Sequence, residues 1–180
     1  TELNLSDNEL FDLPGNVASL VNLRTLDLSF NQLIMLPVEI CRCINLESLR
    51  VANNKLTTLS VDFGKLVKLK KLCLNSNRLR ELPEQLMSLP ELISLEVARN
   101  ELTTIPPSIN KLSQLTHFDL SNNRLVSFPK VITNLVNLTA LDLSSSTLKS
   151  LPDSIRRLTG LTKLKLSGNR LWQLPQTIAH

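Results

Sequence analysis

The chain has 180 residues, 42% of them hydrophobic but only 3% aromatic, with 20 Lys+Arg against 16 Asp+Glu and a formal charge of +4. That length suits one domain, and an apolar content made of leucine instead of large rings points to one small packing unit used many times. Charges of both signs are interspersed, so the balance does not call for a nucleic-acid partner, and no leader or apolar run of about 18 residues marks a signal peptide or a membrane span.

Taken in chain order, residues 1–22 hold a short strand around Leu3, then Asn8, then Pro14. Asn4-Leu5-Ser6 has the form of a glycosylation triplet, but Asn4 falls inside that strand; Asn137-Leu138-Thr139 has the same form. From Leu23 the segment LRTLDLSFNQLIML, closed by Pro37, repeats the pattern at full length. Steps of 23 residues carry Leu26 to Leu49, Leu72, Leu95, Phe118, Leu141 and Leu164. The same steps carry Asn31 to Asn54, Asn77, Asn100, Asn123, Ser146 and Asn169. Pro37 maps to Ser60, Pro83, Pro106, Pro129, Pro152 and Pro175. The organisation is therefore a partial repeat 1–22, full repeats 23–45, 46–68, 69–91, 92–114, 115–137 and 138–160, and a partial repeat 161–180.

Each turn alternates apolar and polar residues in the manner of Leu26-Asp27-Leu28, the period of a strand. Identical strands from successive turns should pair in parallel, giving eight strands across about 34 Å at a spacing of about 4.8 Å. The asparagine amide then satisfies backbone groups where the chain leaves the sheet. Proline followed by apolar residues at intervals of three (Pro37, Ile40, Cys43, Leu46) fits a 3₁₀ or single α turn. Such turns need more lateral room than strands, so the stack must curve with the strands inside.

Leu-x-x-Leu-x-Leu-x-x-Asn-x-Leu, recurring through the whole chain, resembles the leucine-rich-repeat family. The resemblance implies an α/β right-handed solenoid with about eight short parallel strands on the concave face and 3₁₀ or short helical turns on the convex one. The 23-residue turn and the runs Pro-Val-Glu-Ile (37–40), Pro-Pro-Ser-Ile (106–109) and Pro-Asp-Ser-Ile (152–155) look like the cytoplasmic Ras-group and Scribble-like scaffold repeats. That subtype implies intracellular, cytoplasmic protein binding and signalling.

Two departures stand out. Ser146 interrupts the asparagine series and should make a local weak point costing about 1–2 kcal/mol. Ser60 replaces proline in the turn whose apolar residue is Phe63, a larger ring expected to compensate by packing.

Function should sit on the outward side of the strands. The column through Asp27 reads Asn4, Asp27, Arg50, Cys73, Glu96, Asp119, Asp142, Lys165. Two residues earlier lie Glu2, Thr25, Ser48, Lys71, Ser94, His117, Ala140 and Lys163. Two later, the column is nearly all small, from Ser6 and Ser29 to Ser144 and Ser167, and the next holds Asp7, Phe30, Asn53, Ser76, Arg99, Asn122, Ser145 and Gly168. Charge is banded: Arg50 and Lys71, near Lys55, Lys70 and Arg78, then Asp119 and Asp142 bordered by Glu96, then Lys163, Lys165 and Arg170. A banded face would steer and register a protein partner; a solvated sheet face kept soluble by its charges is the plain alternative.

The candidate contact residues are Asp27, Phe30, Arg50, Lys71, Cys73, Glu96, Arg99, His117, Asp119, Asp142, Lys163 and Lys165. Phe30 is either an anchor in a complex or a ring packed on the neighbouring loop. Trp172 covers the last turn or meets a partner. Cys73 is an ordinary thiol or one activated by nearby cations. Three cysteines without regular spacing argue for reduced thiols, and Cys41-x-Cys43 is the wrong gap for the common zinc pair.

Nothing resembles a nucleophile elbow, a His-Glu-x-x-His motif or a phosphate-binding loop; Gly64-Lys65 lacks the upstream glycine. No enzyme activity, cofactor, metal or small-molecule substrate is expected. Because solenoid ends need polar caps, flanking domains or capping segments are expected. The other readings are the recognition arm of a larger multidomain enzyme and a structural subunit of a large assembly.

Overall fold

The computed structural model describes residues 1–179. Eight three-residue strands form one curved, unclosed parallel sheet in sequence order. They are β1 (Glu2–Asn4), β2 (Thr25–Asp27), β3 (Ser48–Arg50), β4 (Lys71–Cys73), β5 (Ser94–Glu96), β6 (His117–Asp119), β7 (Ala140–Asp142) and β8 (Lys163–Lys165). Register follows the repeat throughout: Leu26 faces Leu49, Leu49 faces Leu72, and Leu141 faces Leu164.

Every return segment is a 3₁₀ turn, so the α option is not used. Val38–Arg42 is representative. Pro37 stands just before it in extended conformation (φ −63°, ψ 141°), and its carbonyl accepts from Ile40 N–H at 3.1 Å. Proline thus works as the residue preceding the turn, not as its first helical residue. Ser60 does the same work differently: its Oγ accepts from Asp62 N–H at 3.2 Å, while Phe63 is fully buried. Next to Phe63, Gly64 lets the following turn approach closely, since a Cβ there would lie 2.8 Å from Gln85 O.

The leucines fill one continuous core between sheet and 3₁₀ side, with Cys43 fully buried in a position that other turns give to leucine. The asparagines join the turns. Asn54 Nδ2 donates to Leu28 O, Val51 O and Ala52 O at 2.9, 3.3 and 3.2 Å, and its Oδ1 accepts from Leu33 N–H at 2.9 Å. Asn31, Asn77, Asn100 and Asn123 repeat this set. Ser146 breaks it: its Oγ is buried with no hydrogen-bond partner among the described residues.

One backbone feature recurs that the periodicity did not reveal. Asp7, Phe30, Asn53, Ser76, Arg99, Asn122, Ser145 and Gly168 all have φ between 53° and 68°. The residue before each ladder position is left-handed, turning the chain off the sheet. Phe30 and Arg99 therefore sit at the exit bend beside the sheet, not in an outward column of it. The small-residue column is also less exposed than expected: Ser29, Ala52, Ala98 and Ser121 are buried. Their small size lets the strand exits pack closely.

Candidate functional site

The outer surface of the sheet carries two rows of side chains, one at the first and one at the third residue of each strand. Strand pairing aligns them at the strand spacing, so Asp27, Arg50, Cys73, Glu96, Asp119, Asp142 and Lys165 form one row. Lys71, Ser94, His117, Ala140 and Lys163 lie in the other. Ten of the twelve expected contact residues thus share this face; Phe30 and Arg99 border it.

Not all of the charge is free. Lys165 Nζ lies 2.9 Å from Asp142 Oδ2. Burial raises the Asp142 carboxyl, but the Lys165 ammonium and the Ser144 backbone and hydroxyl outweigh it and hold it below its ordinary 3.8. Lys165 is held above its ordinary 10.5, first through its hydrogen bond to Asp142. The acidic and second basic bands therefore partly cancel. Lys70 is likewise engaged, 2.9 Å from Glu47, which also holds Arg24 at 2.7 Å on the edge of the face. Lys55 donates to Gln32 at 3.1 Å. By contrast, Asp27, Arg50, Lys71, Asp119 and Lys163 form no salt bridge among the described residues.

The acidic side chains are nevertheless oriented. Asp27 Oδ1 accepts from Ser29 N–H, Asp119 Oδ1 from Ser121 N–H and Asp142 Oδ1 from Ser144 N–H, each at 2.9 Å. An aspartate two residues before a serine thus points one oxygen at the backbone and leaves the other outward, as in an Asx turn. Glu96 Oε2 accepts from Asn75 Nδ2 at 2.9 Å and from Cys73 Sγ at 3.4 Å. His117 Nδ1 pairs with Thr116 Oγ1 at 2.7 Å.

Cys73 is not an activated thiol. Burial above all, with Glu96 beside it, pushes it up to about 11; Asn75 N–H and Arg50 only partly offset this. Cys41 is likewise pushed up to about 11, mainly by burial. All three cysteines are free. Among the described residues no group of three His, Cys, Asp or Glu side chains is placed to hold a metal ion.

For two aromatic side chains, Phe30 and Trp172, exposure bears on the pair of readings that the sequence left open. Phe30 is not packed on the next loop: it is 59% exposed despite its left-handed backbone. In the same and preceding turns, Ile34, Met35 and Phe11 are also exposed. The signal was present, since Phe11 and Ile34 occupy equivalent places in successive turns where later turns have Thr57 and Arg80. Trp172 is 71% exposed, so it does not cover the last turn.

A curved parallel sheet of 23-residue turns, stapled by asparagines and backed by 3₁₀ turns, defines a solenoid built from leucine-rich units. Family models agree: the Leucine rich repeat model matches residues 67–125, 90–145 and 126–171. A two-copy model matches 44–86 and a single-repeat model 22–43. The chain belongs to the leucine-rich-repeat family. Members of this family typically serve as protein–protein interaction modules.

No curated protein matches it in sequence. Among solved structures, a leucine-rich-repeat protein of Leptospira interrogans is 40% identical with a TM-score of 0.95, over 98% of this chain and 45% of that one. The ectodomain of the Arabidopsis thaliana receptor kinase GASSHO1/SCHENGEN3, in complex with Casparian strip integrity factor 2, is 32% identical at a TM-score of 0.87. It aligns over 98% of this chain and 22% of that one. The plant peptide hormone receptor RGFR1, in complex with RGF2, is 28% identical at 0.84, over 97% of this chain and 31% of its own. The chain thus spans less than half the length of each. No helix in the described residues is long and apolar enough to cross a membrane.

Proposed function

We propose that this chain is a non-catalytic protein-interaction module, one solenoid domain that holds a protein partner on its concave face. The observation that carries this reading is a set of charges on that face that form no salt bridge among the described residues: Arg50, Lys71, Asp119 and Lys163. Charges aligned on one sheet face and left unmatched favour a partner of complementary charge and reject others. The similar plant receptors in complex with peptide ligands support a protein or peptide as the occupant. Free thiols and the 23-residue scaffold-like turn support a cytoplasmic setting and a signalling role. The flanking domains expected from the sequence would then make this the binding arm of a longer scaffold. Service as the recognition arm of a larger enzyme is the second reading, favoured by the greater length of the similar structures.

The test is a pull-down comparing wild type with Arg50→Glu/Lys71→Glu and with Asp119→Lys/Asp142→Lys. At least one partner should be lost with each reversal. Partners that all survive both reversals would sink the concave-face reading.

A further inference from the structure

The middle of the concave face is dipolar. Arg50 on β3 and Lys71 on β4 are exposed cations that form no salt bridge among the described residues. Glu96 on β5 and Asp119 on β6 follow, and no lysine or arginine pairs with either among the described residues. Next to the acidic side lies a depression of about 190 Å³, lined by Glu96, Asp119, His117, Ala140, Lys163 and the mutually paired Asp142 and Lys165 among others. Ala140 makes it: it is the small residue between His117 and Lys163 in their row. The volume is below the roughly 300–1,000 Å³ of small-molecule sites and suits one long side chain.

We infer that the partner's bound segment is an extended stretch of chain with an acidic side chain over Arg50 and Lys71 and a basic one in the Ala140 depression against Glu96 and Asp119. This rests on the concave-face reading above and adds the ligand's charge order and spacing. From the Arg50–Lys71 pair to the Glu96–Asp119 pair is two strand intervals, and from Arg50 to Asp119 three. At about 4.8 Å per interval that is about 10–14 Å, which extended chain at about 3.3 Å per residue covers in about three to four residues. The preferred ligand therefore carries Asp or Glu three or four positions from Lys or Arg.

The probes are synthetic dodecapeptides in a Ser/Ala background with one Glu and one Arg offset by one, three, four or eight positions, in both orders. Their affinity for the protein is read by fluorescence anisotropy. In at least one order, offsets of three and four should bind about tenfold tighter than one and eight, the scale on which matched charges discriminate partners. Arg50→Glu/Lys71→Glu should abolish that preference and transfer it to the peptide with Lys in place of Glu. Ala140→Leu, on the outer face of the sheet, should weaken the preferred peptide without lowering the unfolding midpoint. Binding that is lost on charge reversal but insensitive to offset overturns the inferred spacing and leaves the concave-face reading standing. Binding that survives both concave reversals overturns both. Failure of every peptide to bind overturns the inference of a linear charged segment.

Discussion

Replacing Ser146 by asparagine should stabilise the protein, and the size of the effect follows from the neighbouring turns. In intact turns the asparagine Oδ1 accepts from a buried leucine N–H in the preceding turn, as Asn123 does from Leu102 N–H at 3.0 Å. At Ser146 the corresponding donor is Leu125 N–H, which finds no acceptor among the described residues. Thr147 does not repair this, because its N–H and Oγ1 both donate to Leu125 O, at 3.1 and 2.9 Å. The carbonyls that an asparagine would reach are already served: Leu120 O by Asn123 and Leu143 O by Asn169. The gain is therefore mainly one buried N–H and the removal of an orphaned hydroxyl. An unsatisfied buried polar group costs about 1–3 kcal/mol, and ordering a longer side chain takes part of that back, leaving about 1–2 kcal/mol. For a domain of this size that is a rise of about 2–8 °C in the thermal midpoint. Circular dichroism melts of wild type, Ser146→Asn and Asn123→Ser, with hydrogen exchange of the Leu125 amide, provide the assay. The first variant should melt higher and slow Leu125 exchange, and the second should melt lower. An unchanged or lowered midpoint for Ser146→Asn would refute the reasoning.

Three further outcomes are expected. Phe30→Asn should hold or raise stability by about 0.5–1 kcal/mol in urea titration, because asparagine tolerates the left-handed backbone that a bulky ring strains; a marked loss would mean that the exposed ring supports the fold. Asp142 and Glu47 are both depressed below their ordinary 3.8 and 4.5, Glu47 chiefly by its hydrogen bond to Lys70. The stability they contribute is therefore fully present above those values and is lost as pH falls through the lower folded-state ones. Urea midpoints should stay level from pH 7 to about 5 and then drop, and Asp142→Asn should show a shallower drop; an identical acid limb in that variant would contradict the Asp142–Lys165 assignment. With its thiol near 11, Cys73 should react with iodoacetamide at pH 8 roughly 100-fold more slowly than an unperturbed cysteine. Labelling of Cys73 at the ordinary rate, read by peptide mass spectrometry, would remove burial as the controlling effect.

The sheet was legible because its determinants repeat. One leucine spacing specifies every strand pair from Leu3–Leu26 to Leu141–Leu164, and one asparagine position specifies the staple between turns. The left-handed column was not, because no single residue type marks it. Asp7, Asn53, Asn122 and Gly168 are types that tolerate positive φ, but Phe30 and Arg99 hid the pattern. Charge pairing was hidden for another reason. Asp27 faces Arg50 across the same register by which Asp142 faces Lys165, yet only the second pair forms a salt bridge. Spacing sets which side chains are neighbours, whereas rotamer and competing hydrogen bonds set which of them pair. The ten residues of the face were therefore readable, while the division into engaged and free charges needed coordinates.

Lysine footprinting tests the central claim most directly. Acetylation rates at Lys71 and Lys163 on the concave face, and at Lys111 and Lys130 on the 3₁₀ side, are compared with and without a captured partner by mass spectrometry. Concave-face binding predicts that Lys71 and Lys163 are protected while Lys111 and Lys130 react as before. Protection of Lys111 and Lys130 with Lys71 and Lys163 unchanged would contradict it.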